Sequence, residues 1–232
     1  MMTKKYNKIS KKTKSQKNIV TRWIVGIVIT LFLIGVGFTV LRQQKNMAVT
    51  TLSVPTDVSL DKSLGNENAP VVVVEYGDYQ CPACGRFATT VKPKIIEEFV
   101  NSGQVRFVFR SFQFIGEESQ WAAEAAECAN EQGKFWEFYD KLYSSQAGEN
   151  AGAFQKENLE GFATELGLQT QQFTQCLVSG KYAEKVKAET LEAQNLGLRS
   201  TPSVIVNGEL LNEGSDYEIL SQKIRQILAN SN

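Results

Sequence analysis

Val71-Val-Val-Val-Glu-Tyr-Gly-Asp-Tyr-Gln-Cys-Pro-Ala-Cys84 is the stretch that decides how this chain folds. Four consecutive valines, β-branched and apolar, predict a buried strand over residues 71–76, bounded by Pro70 and Gly77. The strand runs into Cys81-Pro82-Ala83-Cys84, and Phe87, Val91, Ile95, Ile96 and Phe99 then recur near helical spacing. Cys81 therefore falls at a helix start, where orphan backbone N–H groups and the helix dipole favour a thiolate. Pro82 suits the first helical position, because an N–H there would have no partner. On a helical turn the i, i+3 spacing brings the two Cα atoms to roughly 5–6 Å, within disulfide range. The stretch reads as a redox centre rather than a structural clip.

Working outward, the helix is expected over 82–100, kinked at Pro93 and ended by Gly103. A second strand over 105–110 completes a strand–helix–strand unit of the kind that joins parallel strands. An all-helical block follows, with Ala122, Ala125, Ala126 and Ala129, then Phe135, Phe138, Tyr139 and Leu142, keeping helical period. After Gly197 the pattern returns to strands: Val204-Ile-Val206, an Asn207-Gly208 hairpin turn, and Glu209–Leu211. Tyr217, Leu220, Ile224, Ile227 and Leu228 make a closing helix. Sheet elements thus lie on both sides of a run of helices. One α/β domain with a helical insertion over about 116–197 is the economical reading.

Charge is distributed unevenly along a chain whose net charge is zero. Residues 1–22 carry seven Lys and Arg22 with no acid, while the remainder holds 17 basic and 25 acidic residues. Residues 23–41 contain no charge, and as a helix they would span about 28 Å, close to a bilayer's hydrocarbon core of about 30 Å. Eight positive charges precede this segment and only Arg42 and Lys45 closely follow it, which places the N-terminus in the cytoplasm and the rest outside. The expectation is a basic cytoplasmic tail (1–22), a single-pass signal-anchor helix (23–41), a linker (42–62, with a short strand over 56–60) and an extracytoplasmic domain (63–232). The alternative is a cleaved secretory signal, for which the apolar core is long. Both export the domain that carries all four cysteines into a compartment where disulfides persist. Its acidic excess gives no reason to expect nucleic acid.

Zinc sites also use Cys-x-x-Cys, but they need two more ligands. The chain has no His, and Cys128 and Cys176 are not a second such pair. Neither a metal nor a cofactor is expected. Cys81, nearer solvent, is the candidate attacking thiol, and Cys84 the resolving one. Glu75 is a carboxylate set behind four valines. It is either an outward-facing strand residue or a buried acid that exchanges a proton with Cys84, a task for which burial would raise its pKa. Cys128 and Cys176 are either two buried thiols or, in an oxidising compartment, a structural bridge. The aromatics Trp121, Phe135, Trp136, Phe138, Tyr139 and Tyr143 read as the core of the insertion. Any exposed near Cys81 would form an apolar docking surface.

The exported part resembles the DsbA-like thiol–disulfide oxidoreductases of bacteria. The resemblance runs from about Ser63 to Ala229. It rests on Leu64-Gly-Asn-Glu-Asn-Ala-Pro70, Asp78-Tyr-Gln-Cys-Pro-Ala-Cys84, Gln132-Gly-Lys-Phe-Trp-Glu137 and Thr201-Pro-Ser-Val-Ile-Val-Asn-Gly208. It implies a thioredoxin-like fold with an inserted helical domain. Glu75 matches the position where members can carry a buried proton-relay acid. Pro202 matches a cis-proline facing the disulfide, and Thr201 the residue whose backbone contacts substrate, opposite Pro82 and Ala83. Cys128 and Cys176 resemble the extra structural bridge of some anchored members. The chain departs from the best-known member at Ala83, where a thiolate-stabilising His stands, so a less extreme oxidant is expected. The implied activity is thiol–disulfide exchange, with an oxidase favoured over a reductase or isomerase. The implied partners are reduced exported proteins and a membrane reoxidase of the DsbB or vitamin K epoxide reductase-like type. A non-catalytic, membrane-tethered binding module for exported chains is the reading from a different class.

Overall fold

A computed structural model describes residues 62–230. The basic tail, the apolar span 23–41, the strand expected over 56–60 and all of the linker but residue 62 lie outside them. Among the described residues no helix is long and apolar enough to cross a membrane.

Five strands form one sheet in the order β1-β3-β2-β4-β5. They are β1 (Ser63–Leu64), β2 (Val71–Gly77), β3 (Val105–Ser111), β4 (Ser203–Val206) and β5 (Glu209–Leu211). β2 and β3 run parallel, from Val71 opposite Val105 to Gly77 opposite Ser111. The other neighbouring pairs are antiparallel. A parallel pair needs a crossover, and residues 82–100 supply it. This crossover alternates α1 (Pro82–Arg86), a π-helical turn (Phe87–Val91), α2 (Lys92–Ile95) and a second π-helical turn (Ile96–Val100). Proline inside an α-helix lacks a donor and collides with the carbonyl four residues back. Just before Pro93 the Lys92 N–H bonds Phe87 O, five residues away, so a widened turn receives the proline expected to kink the helix.

Alternation along the strands divides the core. Val71, Val73, Val105 and Phe107 pack with Phe87, Val91, Ile95 and Phe99 of the crossover, and with Leu220 and Ile224 of α8 (Tyr217–Asn230). Val74, Tyr76 and Val108 pack on the other face with Ala193 and Leu198. Glu75 shares the parity of Val71 and Val73, so the carboxylate belongs to the face that the crossover covers.

The insertion comprises α3 (Glu117–Asn130), α4 (Phe135–Ser144), α5 (Lys156–Glu165), α6 (Thr170–Val178) and α7 (Ala183–Asn195). Ala122, Ala125, Ala126 and Ala129 of α3 are buried with Phe138, Leu142, Leu159, Phe173 and Leu177. Small side chains let the helices approach closely, and the aromatics fill the layer between them. Cys128 on α3 and Cys176 on α6 form a disulfide with Cα atoms 5.9 Å apart.

Lys62, expected as the last linker residue, is buried. Its Nζ lies 2.7 Å from Glu127 Oε1 and 2.6 Å from Glu189 Oε1. Arg110 on β3 pairs with Glu189 at 3.3 Å and with Glu192 at 2.7 Å. Burial alone would raise the Glu189 pKa, but the Lys62 and Arg110 charges hold it below the usual carboxylate value.

Candidate active site

β2 ends at Gly77, and the next three residues turn the chain into α1. Asp78, fully buried, organises this turn. Its Oδ1 accepts from Gln80 N at 2.9 Å and Ser119 Oγ at 2.6 Å, and its Oδ2 from Phe114 N at 3.1 Å and Ile115 N at 3.3 Å. Cys81 N donates to Asp78 O at 3.0 Å. Cys81 is the N-cap of α1, with extended dihedrals and Pro82 following at the helix start. Its side chain makes no full-strength capping bond, and the sulfur lies over the helix terminus under the influence of the Ala83 and Cys84 N–H groups.

Cys81 and Cys84 stand as free thiols, the first partly exposed and the second buried. Their environments drive their acidities apart. The Cys81 pKa is pushed down to about 5, chiefly by the hydrogen bond from Cys84. Burial opposes this, while the Thr201 side chain and the N–H groups of Cys84 and Ala83 support it. Burial, the bond to Cys81 and the neighbouring Glu75 push the Cys84 thiol well up.

The Thr201–Pro202 bond is cis. It leads into β4, which pairs with β2, Ser203 opposite Tyr76. As a thiol, Cys81 donates to Thr201 O at 3.4 Å. The Thr201 hydroxyl is buried and has no other partner, and so is free to donate to the thiolate. Thr201 thus stands across from Cys81, with cis Pro202 between it and β4.

Glu75 has no exposed surface. Its Oε2 accepts from Tyr139 Oη at 2.8 Å, and its Oε1 has no partner. Burial raises its pKa to about 8, against the Tyr139 hydrogen bond and the Lys92 charge. Lys92 Nζ lies 4.2 Å from the Tyr139 ring centre and 5.3 Å from that of Trp136, and pairs with exposed Asp140 at 2.5 Å. Room for the carboxylate depends on Gly77. A Cβ there would stand 2.8 Å from the Phe109 ring, 2.9 Å from Tyr143 Oη and 3.2 Å from Glu75 Oε1.

The structure therefore gathers Cys81, Cys84, Glu75, Thr201 and Pro202 at one end of the sheet, and holds Cys128 and Cys176 apart from them in the insertion. Tyr139 and Tyr143, read as insertion core, are buried in it and also line the Glu75 pocket. Phe135 and Phe138 are buried too, while Trp121 and Trp136 are partly covered. Phe114, exposed by about half, is the large apolar side chain on the loop that Asp78 holds. Lys92 was not singled out from the sequence, where it is one lysine among many, and Asp78 stands out there only as part of the motif that ends in Cys84.

A family model described as thioredoxin matches residues 58–226. A probable disulfide bond formation protein D from Bacillus anthracis is 34% identical over 216 residues, 91% of this chain and 97% of that protein. The chain belongs to the DsbA-like thiol–disulfide oxidoreductases of the thioredoxin family. Disulfide bond formation protein D of Bacillus subtilis (strain 168) is 30% identical over 172 residues, 71% of this chain and 76% of the relative. Among solved structures, oxidised BdbD from Bacillus subtilis superposes with a TM-score of 0.69 at 29% identity, covering 73% of this chain and 94% of that one. In this DsbA-like enzyme the sheet supplies the thiols' frame, and the inserted helices supply the aromatic wall behind Glu75.

Proposed function

We propose that this DsbA-like enzyme is an oxidase that introduces disulfides into exported proteins, working outside the cytoplasm from an anchor formed by residues 23–41. The observation that carries the direction is the split between its two thiols. A half-exposed Cys81 is held as a thiolate at neutral pH, while buried Cys84 is held as a thiol. Stabilising the leaving thiolate favours the reduced enzyme and makes its disulfide easy to surrender. The name of the relatives, disulfide bond formation protein D, agrees with this direction. The uncharged segment behind eight basic residues supports the anchor and its orientation.

In the proposed mechanism a substrate thiolate attacks Cys81 Sγ of the oxidised pair. The Cys81–Cys84 bond breaks, its electron pair passes to Cys84 Sγ, and protonated Glu75 supplies the proton. A second substrate thiolate then attacks the substrate sulfur of the mixed disulfide, and Cys81 leaves as a thiolate. The substrate loses two electrons and the enzyme gains them. A membrane reoxidase of the DsbB or vitamin K epoxide reductase-like type would remove them again. Thr201 and Pro202, with Pro82 and Ala83, form the surface on which the extended substrate lies.

Equilibration of the full-length protein with glutathione tests the reading. A potential well above thioredoxin's, about −270 mV, supports an oxidase, whereas a value near thioredoxin's assigns it to the reductases. A Cys81→Ser protein that still oxidised a reduced, unfolded substrate would sink the mechanism.

A further inference from the structure

The segment 145–155, between α4 and α5, crosses from the insertion to the turn that carries Cys81. Gln146 is its contact with that turn. Nε2 donates to Tyr79 O at 2.7 Å and to Cys81 O at 3.0 Å, so both amide hydrogens go to the backbone on either side of Gln80. Cys81 O also accepts from Gly85 N at 3.1 Å, the first bond of α1. The amide lies against Gly85: a Cβ there would stand 2.4 Å from Gln146 Oε1. A side chain at residue 85, whose backbone is helical, would therefore push the Gln146 carboxamide aside.

Further along, the same segment repeats the contact. Asn150 N donates to Gln80 Oε1 at 2.6 Å. Its far end is fixed to α3, where Glu118 accepts from Gly152 N at 2.8 Å and Phe154 N at 2.9 Å. The segment is anchored at both ends on the insertion and grips the Cys81 turn in between.

We propose that Gln146 is a positioning residue for thiol exchange: its carboxamide, by holding Tyr79 O and Cys81 O, lets the helical insertion fix the helical turn in which Cys81 reacts. The proposal rests on the reading of Cys81 as the reacting thiol. Cys81 has no side-chain cap to orient its own backbone, and its sulfur draws on the N–H groups of Ala83 and Cys84. Those donors converge on the sulfur only while the turn keeps its orientation. Gln146 meets the turn from the insertion side, Thr201 meets the sulfur from β4, and Glu75 and Cys84 lie on the buried side.

The test is a cycle on the reduced full-length protein, following thiolate absorbance of Cys81 against pH. Gln146→Met keeps the length of the side chain and loses both donors. It is expected to raise the Cys81 titration midpoint by about one pH unit, the worth of about one hydrogen bond. Gly85→Ala reaches the same amide from the opposite side. It favours the helix, so the expected result is an upward shift of the midpoint without loss of thermal stability. In the double variant the second substitution should add nothing, because coupled residues are non-additive. An unchanged midpoint in Gln146→Met, or shifts that add, overturns the proposal. If Gln146→Met does not fold, Gly85→Ala decides alone: no shift overturns it. A wild-type protein that fails to oxidise substrate would refute the proposed function, while the titration cycle would still decide the role of Gln146.

Discussion

Glu75 is a single carboxylate whose surroundings set when it holds a proton. Its pKa of about 8 lies above the ordinary value of 4.5 because burial penalises the charge. Between these values the folded chain keeps a proton that the unfolded chain has released. Its contribution to stability is therefore complete at acid pH and is lost as the pH climbs through 8. Glu75→Gln cannot ionise, so urea unfolding of the oxidised variant is expected to lack this decline between pH 5 and 9. In the reduced protein Cys81 works in the opposite sense. Its lowered pKa gives stability that is present above the unfolded thiol's pKa and is lost as the pH falls through 5. The same variant is expected to slow the first step of substrate oxidation by about a hundredfold below pH 8, a typical loss for a general acid. Stopped-flow fluorescence should show the gap narrowing above pH 8, where wild-type Glu75 is itself ionised. Equal rates at pH 6 would remove Glu75 from the mechanism.

At the scale of elements, β2 and its exit carry the site. Gly77→Ala is expected to destabilise the protein by about 1–3 kcal/mol, since the methyl meets the Phe109 ring and Tyr143 Oη in a packed layer. Urea unfolding at pH 7 measures it, and an unchanged midpoint would mean the layer yields freely. Most elements were legible in the sequence. The run Val71–Val74 can only be a buried strand, Val204–Val206 with Asn207-Gly208 can only be a hairpin, and Cys81-Pro82 marks a helix start. Glu75 reads in the sequence as either outward-facing or buried, because strand parity alone does not say which faces are covered. The π turns were not legible, because Phe87, Val91, Ile95, Ile96 and Phe99 fit an α-helical period just as well. Nor was β1, two residues long, which owes its pairing to β3 rather than to any pattern of its own. The Gln146 contact joins residues 65 positions apart through a backbone carbonyl, and no side-chain pattern encodes that.

At the scale of the whole molecule, one covalent and one ionic long-range tie of the insertion can each be tested. The Cys128–Cys176 bridge closes a loop of 48 residues, and opening it by substituting both with Ser is expected to cost about 4 kcal/mol. Chemical denaturation of the variant and parent measures this; a loss under 1 kcal/mol would show that the helices need no staple. The second tie is ionic. Lys62→Met leaves Glu127 to Lys185 and Glu189 to Arg110 but removes the buried cation that the two carboxylates share, and is expected to cost about 1–3 kcal/mol by the same measurement. Nothing in the sequence marks Lys62, one lysine in a polar stretch, as a core residue.

The position of Lys62 also decides where mechanical load would go. Tension applied through the chain that precedes it arrives first at a side chain clamped by Glu127 of α3 and Glu189 of α7. β1 comes next, and it is paired with β3 rather than with β2. A pull from that end is thus met first by the helical insertion and the sheet edge, ahead of β2, the strand that leads to Cys81. The reactive turn follows β2, which β3 separates from the loaded edge.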